Sequence, residues 1–147
     1  MDTGMKSIKV RSKDYLVPDD DHEVYDIFKS GFEKCAFRED ARDATFKILF
    51  VSPVINKKTV ARICRASAHV KLFQGFDYII EISKDMWDQL NDEQKKILMW
   101  HECEHIHVKE KRDGTPTYGL RDHDLKDFRS VVNEHGVYWM LDVLKEE

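Results

Sequence analysis

The sequence predicts an α+β domain with one small sheet, and three observations predict it. Apolar residues recur at helix spacing in two segments that lie far apart. Short runs of β-branched and aromatic residues, bounded by Pro and Gly, lie between them. The second helical segment then runs into His101-Glu102-Cys103-Glu104-His105. The expected order is an N-terminal helix, a small three-stranded, mostly antiparallel sheet, the motif helix, a loop and a C-terminal helix.

Residues 1–19 are polar, mixed in charge and end near Pro18. They read as a loose arm or an edge strand ahead of a single domain over 20–147. Asp20 to Cys35 is expected to be helical. Asp20 and Glu23 fit a capping box, and Val24, Ile27, Phe28 and Phe32 follow at helix spacing. Arg38 to Thr45 is charged and reads as a turn. Phe46 to Val51 is rich in strand formers and stops before Pro53. Val60 to Phe73 alternates loosely and is taken as a second strand. After Gly75, Phe76-Asp77-Tyr78-Ile79-Ile80-Glu81-Ile82 is the third. Asn91 caps the motif helix, with Gln94 where a capping box wants it. Gly114 and Pro116 are expected to end that helix. A loop over Thr115 to Asp122 leads to a last helix capped by Asp124, with Leu125, Phe128, Val131 and Val132 as its apolar positions. Gly136 breaks it, and Val137 to Leu144 should pack back on the core.

Composition narrows the function classes. A chain of 147 residues, 41% hydrophobic and 35% charged, is globular and large enough for a core without staples. Cys35, Cys64 and Cys103 are odd in number and have no close pair, which argues against disulfides and against a C-x-x-C zinc knuckle. Residues 1–20 hold no apolar stretch of the signal-peptide kind, and no run is long enough to span a membrane. A cytoplasmic protein is therefore expected, and a monomer is the expected assembly. A net charge of −4 argues against strong, unspecific nucleic-acid binding. The cluster Lys57, Lys58, Arg62, Arg65 and Lys71 is the only support for such binding, and a solvated sheet face explains it equally well.

The chemistry lies in His101-Glu102-x-x-His105. At about 100° per residue, His105 lies only about 40° round a helix from His101, so both imidazoles can grip one metal ion. Glu102, about 100° away, can reach a water on that ion and act as general base. Cys103 and His107 fall at about 200° and 240°, on the far side. A catalytic zinc usually takes a third protein ligand. The metzincin position for it is Lys111, and Val108 replaces the linking glycine, so that arrangement is excluded. Glu134 is available from the last helix. His123 is the better candidate, because a loop can fold it back toward the motif, with Asp122 and Asp124 beside it as orienting acids.

The chain also resembles the putative phage metallopeptidase family, small single-domain zincins related to SprT-like peptidases. The resemblance rests on Phe76 to Ser83, Trp87 with Leu90, Gln94-Lys95 and His101-Glu102-x-x-His105-Ile106. It continues through Tyr118-x-Leu120-x-x-His123-Asp124-Leu125-x-Asp127-Phe128, then Gly136 and Trp139. It covers the second half of the chain well and the first half only by its order of elements. It implies a minimal zincin-like fold and one Zn2+ ion held by His101, His105 and His123, with Glu102 as catalytic base. A small or apolar residue is common in that family where this chain has Cys103 and Glu104, which leaves substrate preference open. The expected reaction is peptide hydrolysis by a zinc-activated water on a peptide or protein substrate. The strand Phe76 to Ile82 would hold the substrate by backbone pairing. Tyr118 and Arg121 are candidates to steady the transition state or support the ligands. The rival class is a non-catalytic zinc or interaction module. Its zinc would be closed by four protein ligands, whereas three good ones and an intact Glu are present.

Overall fold

The computed structural model describes residues 5–10 and 12–121. Within them the chain runs β1 (Met5–Val10), β2 (Lys13–Pro18), α1 (Glu23–Phe32), β3 (Phe46–Ser52), β4 (Ala61–Arg65), α2 (Ala68–Gln74), β5 (Tyr78–Ser83), α3 (Lys84–Asp88), α4 (Asp92–Cys103), β6 (Ile106–Glu110) and β7 (Pro116–Leu120). The α+β class holds. The sheet is larger than expected and mixed: five strands in the order β1-β2-β3-β5-β4, with β3 and β5 parallel. A separate hairpin is formed by β6 and β7. The expected C-terminal helix lies outside the described residues.

Alternation on the central strands builds the core. In β5, Tyr78, Ile80 and Ile82 are completely buried, and β3 sets Phe46, Ile48 and Phe50 beside them in register. The Phe46 and Tyr78 rings stack at 5.1 Å. Helix α1 lays Val24, Phe28 and Phe32 on this face at four-residue spacing, and Leu98, Met99 and Trp100 of α4 join the same core. Gly31 is the point of closest approach between the helices: a Cβ there would stand 2.4 Å from Trp100 N and 2.6 Å from the Met99 carbonyl carbon.

Several boundaries differ from the sequence expectation, each for a local reason. The first helix starts at Glu23, because the His22 ring nitrogen Nδ1, not Asp20, accepts the Val24 N–H at 3.1 Å. β1 and β2 pair antiparallel, so among the described residues β1 is an edge strand and β2 an interior one. The run expected as one strand over Val60 to Phe73 breaks in two. Ser67 caps α2 by accepting the Val70 N–H at 3.2 Å, and Gly75 closes that helix at φ 77°. The motif helix stops at Cys103. Ile106 and Val108 turn inward and alternate with His107 and Lys109, a strand pattern that the sequence reading absorbed into the helix. Gly114, at φ 86°, belongs to the turn between β6 and β7 and does not terminate a helix.

Strand order also corrects the expected substrate strand. β5 lies between β3 and β4 and is paired on both sides, so no substrate can add to it. Phe76 precedes the strand. Asp77 accepts the Thr45 N–H at 2.9 Å and pairs with Lys71 at 2.6 Å. Tyr78, Ile80 and Ile82 are core, while Ile79 and Glu81 face the other way, with Glu81 3.1 Å from Arg62. Among the described residues, the outer strand on this side is β4. Among the basic cluster named above, Arg62 and Lys71 are thus already engaged with acids. Among the described residues, no helix is long and apolar enough to cross a membrane.

Candidate metal centre

Helix α4 is set at its start by a full capping box. Asn91 accepts the Gln94 N–H at 2.8 Å, and Gln94 accepts the Asn91 N–H at 2.9 Å. Asn91→Ala removes half of that exchange and is expected to lower stability by about 1 kcal/mol, read as a shift in the urea midpoint at unchanged slope. Its buried side, Leu98 to Cys103, then carries the motif into the core.

At the other end the helix delivers His101 and Glu102, 9% and 4% exposed. The chain does not stay α-helical to His105. Glu104 N still donates to Trp100 O at 3.0 Å, but His105 N donates to Glu102 O at 3.1 Å, a tighter three-residue turn. That turn keeps His105 on the His101 side. One ligand atom from each of His101, Glu102 and His105 lies within 4.8 Å of the others, and this is a possible metal site. The two imidazole rings stand edge to face, with centroids 5.5 Å apart. Glu102 Oε2 is 4.0 Å from His101 Nε2. Burial pushes the Glu102 carboxyl up to about 8. A cation bound beside it would pull it down again.

His105 is held by its surroundings as a ligand has to be. Its Nδ1 lies 2.7 Å from the Arg121 carbonyl oxygen. A carbonyl oxygen only accepts, so Nδ1 carries a proton, and in the neutral ring Nε2 is the nitrogen left to bind a metal. The donor set, two imidazoles with a carboxylate within reach, suits a divalent metal ion.

The remaining sequence candidates fall as follows. Cys103 is completely buried, its thiol pushed well above the usual range by burial and by Cys35, Glu102 and Glu104 nearby. His107 is exposed and packs on Phe37, with ring centroids 5.1 Å apart. Neither joins the His101/Glu102/His105 group. Tyr118 lies on β7, edge-on to Tyr78 at 6.1 Å and under the Lys71 ammonium at 5.3 Å. Arg121 directs its guanidinium at Glu104: Nε donates to Glu104 O at 2.6 Å and Nη2 is 3.7 Å from Glu104 Oε2. Asp122, His123, Asp124 and Glu134 lie outside the described residues.

Sequence reasoning missed Glu104. It is 1% exposed, and its Oε1 accepts the Ala36 N–H at 2.7 Å. An acid at about 300° round the helix from His101, hence only about 60° from the ligand face, was the available signal. Its partners come from segments far away in sequence.

Over residues 19–146 the sequence matches the model of a family described as Putative phage metallopeptidase. No curated protein and no solved structure matches the chain. The family match spans most of the chain and implies a metal, for which the buried His/Glu/His group offers a possible site. On that match, the chain belongs to the putative phage metallopeptidase family.

Proposed function

We propose that this protein is a zinc-dependent peptidase in which His101, His105 and His123 hold one Zn2+ ion and Glu102 is the general base. The observation that carries the reading is the convergence of His101, Glu102 and His105, with the far nitrogen of His105 tied to a main-chain carbonyl. The Arg121 carbonyl lies on the His105 ring, and His123 follows two residues later in the sequence, which supports it as the third ligand.

Zinc bound there would supply a water whose pKa falls to about 7 and an electrophile for the scissile carbonyl. The protein's own part is proton handling and exclusion of bulk water. Glu102 takes the proton of the attacking water on its carboxylate and passes it to the leaving nitrogen. Its low exposure keeps that proton from exchanging freely with solvent. An extended substrate would add to the outer edge of β4 (Ala61–Arg65), which touches both α4 and β7.

The test is metal analysis of the purified protein beside His123→Ala, with cleavage followed on a peptide library. The parent should hold one zinc and cleave, and His123→Ala should lose the ion. Full occupancy in His123→Ala would move the third ligand to Glu134 or to an acid beside His123. A parent that takes up no metal would end the peptidase reading.

A further inference from the structure

We infer that Arg121 and Glu104 are a pair of positioning residues that clasp His105 and fix which of its nitrogens faces the metal. The inference rests on the reading of His105 as a ligand and adds a cause for its orientation. The register of the β6–β7 hairpin pairs Ile106 with Leu120, so the next position outward sets His105 opposite Arg121. The Arg121 main chain grips His105 twice. Its N–H donates to His105 O at 2.7 Å, and its carbonyl accepts from the ring Nδ1–H at 2.7 Å.

This grip is at the end of the hairpin, where β7 has already stopped at Leu120. The Arg121 side chain supplies the anchor that the strand no longer gives. Its Nε donates to the Glu104 carbonyl, its Nη2 faces the Glu104 carboxylate at 3.7 Å, and its guanidinium lies over Phe37 at 5.5 Å. Glu104 is in turn fixed by the Ala36 N–H, in the turn that follows α1. The line of contacts runs from Ala36 through Glu104 and Arg121 to the His105 ring.

The chemistry explains why the residue types matter. A guanidinium can address a carbonyl and a carboxylate at the same time because its donors diverge in one plane, which an ammonium cannot reproduce. The deeply buried Glu104 side chain is fixed from both sides, by the Ala36 N–H and by the Arg121 guanidinium. With the pair intact, the Arg121 carbonyl has one place to be, and His105 has one tautomer. Loss of a ring partner of this kind typically weakens metal affinity about 10- to 100-fold.

The experiment compares the parent with Arg121→Lys, Arg121→Gln, Glu104→Gln and the double variant Glu104→Gln/Arg121→Gln. Zinc affinity is measured by chelator competition. The His105 tautomer is read in the metal-free proteins by 15N NMR of labelled histidine. The metal-free parent should show His105 protonated at Nδ1. Each single variant should weaken zinc binding about 10- to 100-fold and give a mixture of tautomers. The double variant should be no worse than the weaker single, since both substitutions break one line of contacts. Arg121→Lys and Glu104→Gln keep size and polarity, so they report even where Arg121→Gln fails to fold. Variants with lowered melting temperature but the parent's zinc affinity and tautomer would reduce the pair to ordinary packing and overturn the inference. So would strictly additive losses in the double variant. A parent that binds no zinc would refute the ligand reading on its own, while the tautomer comparison would still decide the clasp.

Discussion

Glu102→Gln is expected to lower peptide cleavage by about 10²–10⁴-fold and to leave the metal in place. Gln keeps the shape of the side chain and can still hydrogen-bond, but it cannot take a proton from water at neutral pH. The proposed ligands are untouched, so metal content by metal analysis should equal that of the parent. A variant as active as the parent on any peptide would remove Glu102 from the chemistry. The same substitution is expected to have the opposite sign in stability. The Glu102 carboxyl is raised from 4.5 to about 8 by burial alone. Between those two values the metal-free folded state holds a proton that the unfolded state has released, so stability falls as pH rises through the window. Gln has no ionisable proton in this range, so it does not share this pH dependence. In excess chelator, Glu102→Gln should therefore melt above the parent at pH 8, and the gap should close toward pH 4.5. Added zinc should narrow the gap at pH 8, because a neighbouring cation favours the carboxylate. A gap independent of pH would show that burial does not suppress ionisation of Glu102. A proteome-wide cleavage comparison of the parent with this variant would then identify the substrates.

What was legible in the sequence is what depends on neighbours in the chain. Asn91 and Gln94 form the expected capping box, since both halves lie within one turn. His101 and His105 come together as their angular spacing requires, even though the last turn tightens and the helix ends early. The Phe46 run forms its strand with only a one-residue extension. What was not legible depends on pairing across the fold. Nothing in Phe76 to Ile82 announces that β3 and β4 flank it on both sides, since a buried interior strand and a half-buried edge strand can share the same residues. The N-terminal hairpin is equally silent, because its apolar residues are sparse and its partner strand β3 lies beyond α1. Glu104 is the sharpest case. By sequence it is a polar oddity beside His105, and its contacts with Ala36 and Arg121 become visible only in the fold. The Ser67 break between β4 and α2 was readable in principle, as a serine cap before a short apolar turn, but loose alternation on both sides of it masked the change of period.

Gly31→Ala is the substitution expected to damage the fold and the site together. The added Cβ would sit 2.4 Å from Trp100 N, 2.6 Å from the Met99 carbonyl carbon and 2.9 Å from Met99 Cβ. Two of these three are main-chain atoms of α4, held by the helix's own hydrogen bonds, so no side-chain rotation relieves the clash. The helices must separate. Overpacking of this kind costs about 1–3 kcal/mol and occasionally more, and a clash with backbone belongs at the upper end. Separation acts on the site directly, because Trp100 precedes His101 and its carbonyl accepts the Glu104 N–H that shapes the turn to His105. Zinc affinity should therefore fall along with the urea midpoint. Gly75→Ala is the matched control. Gly75 has φ 77° and nothing within 4 Å of the new Cβ, so it should lose only the left-handed strain, about 1–2 kcal/mol, and keep the parent's zinc affinity. Equal zinc affinity in both variants would mean that the α1–α4 contact stabilises the fold without positioning the ligands. A loss confined to Gly31→Ala would make the close approach of α1 to Trp100 part of the metal centre's own architecture.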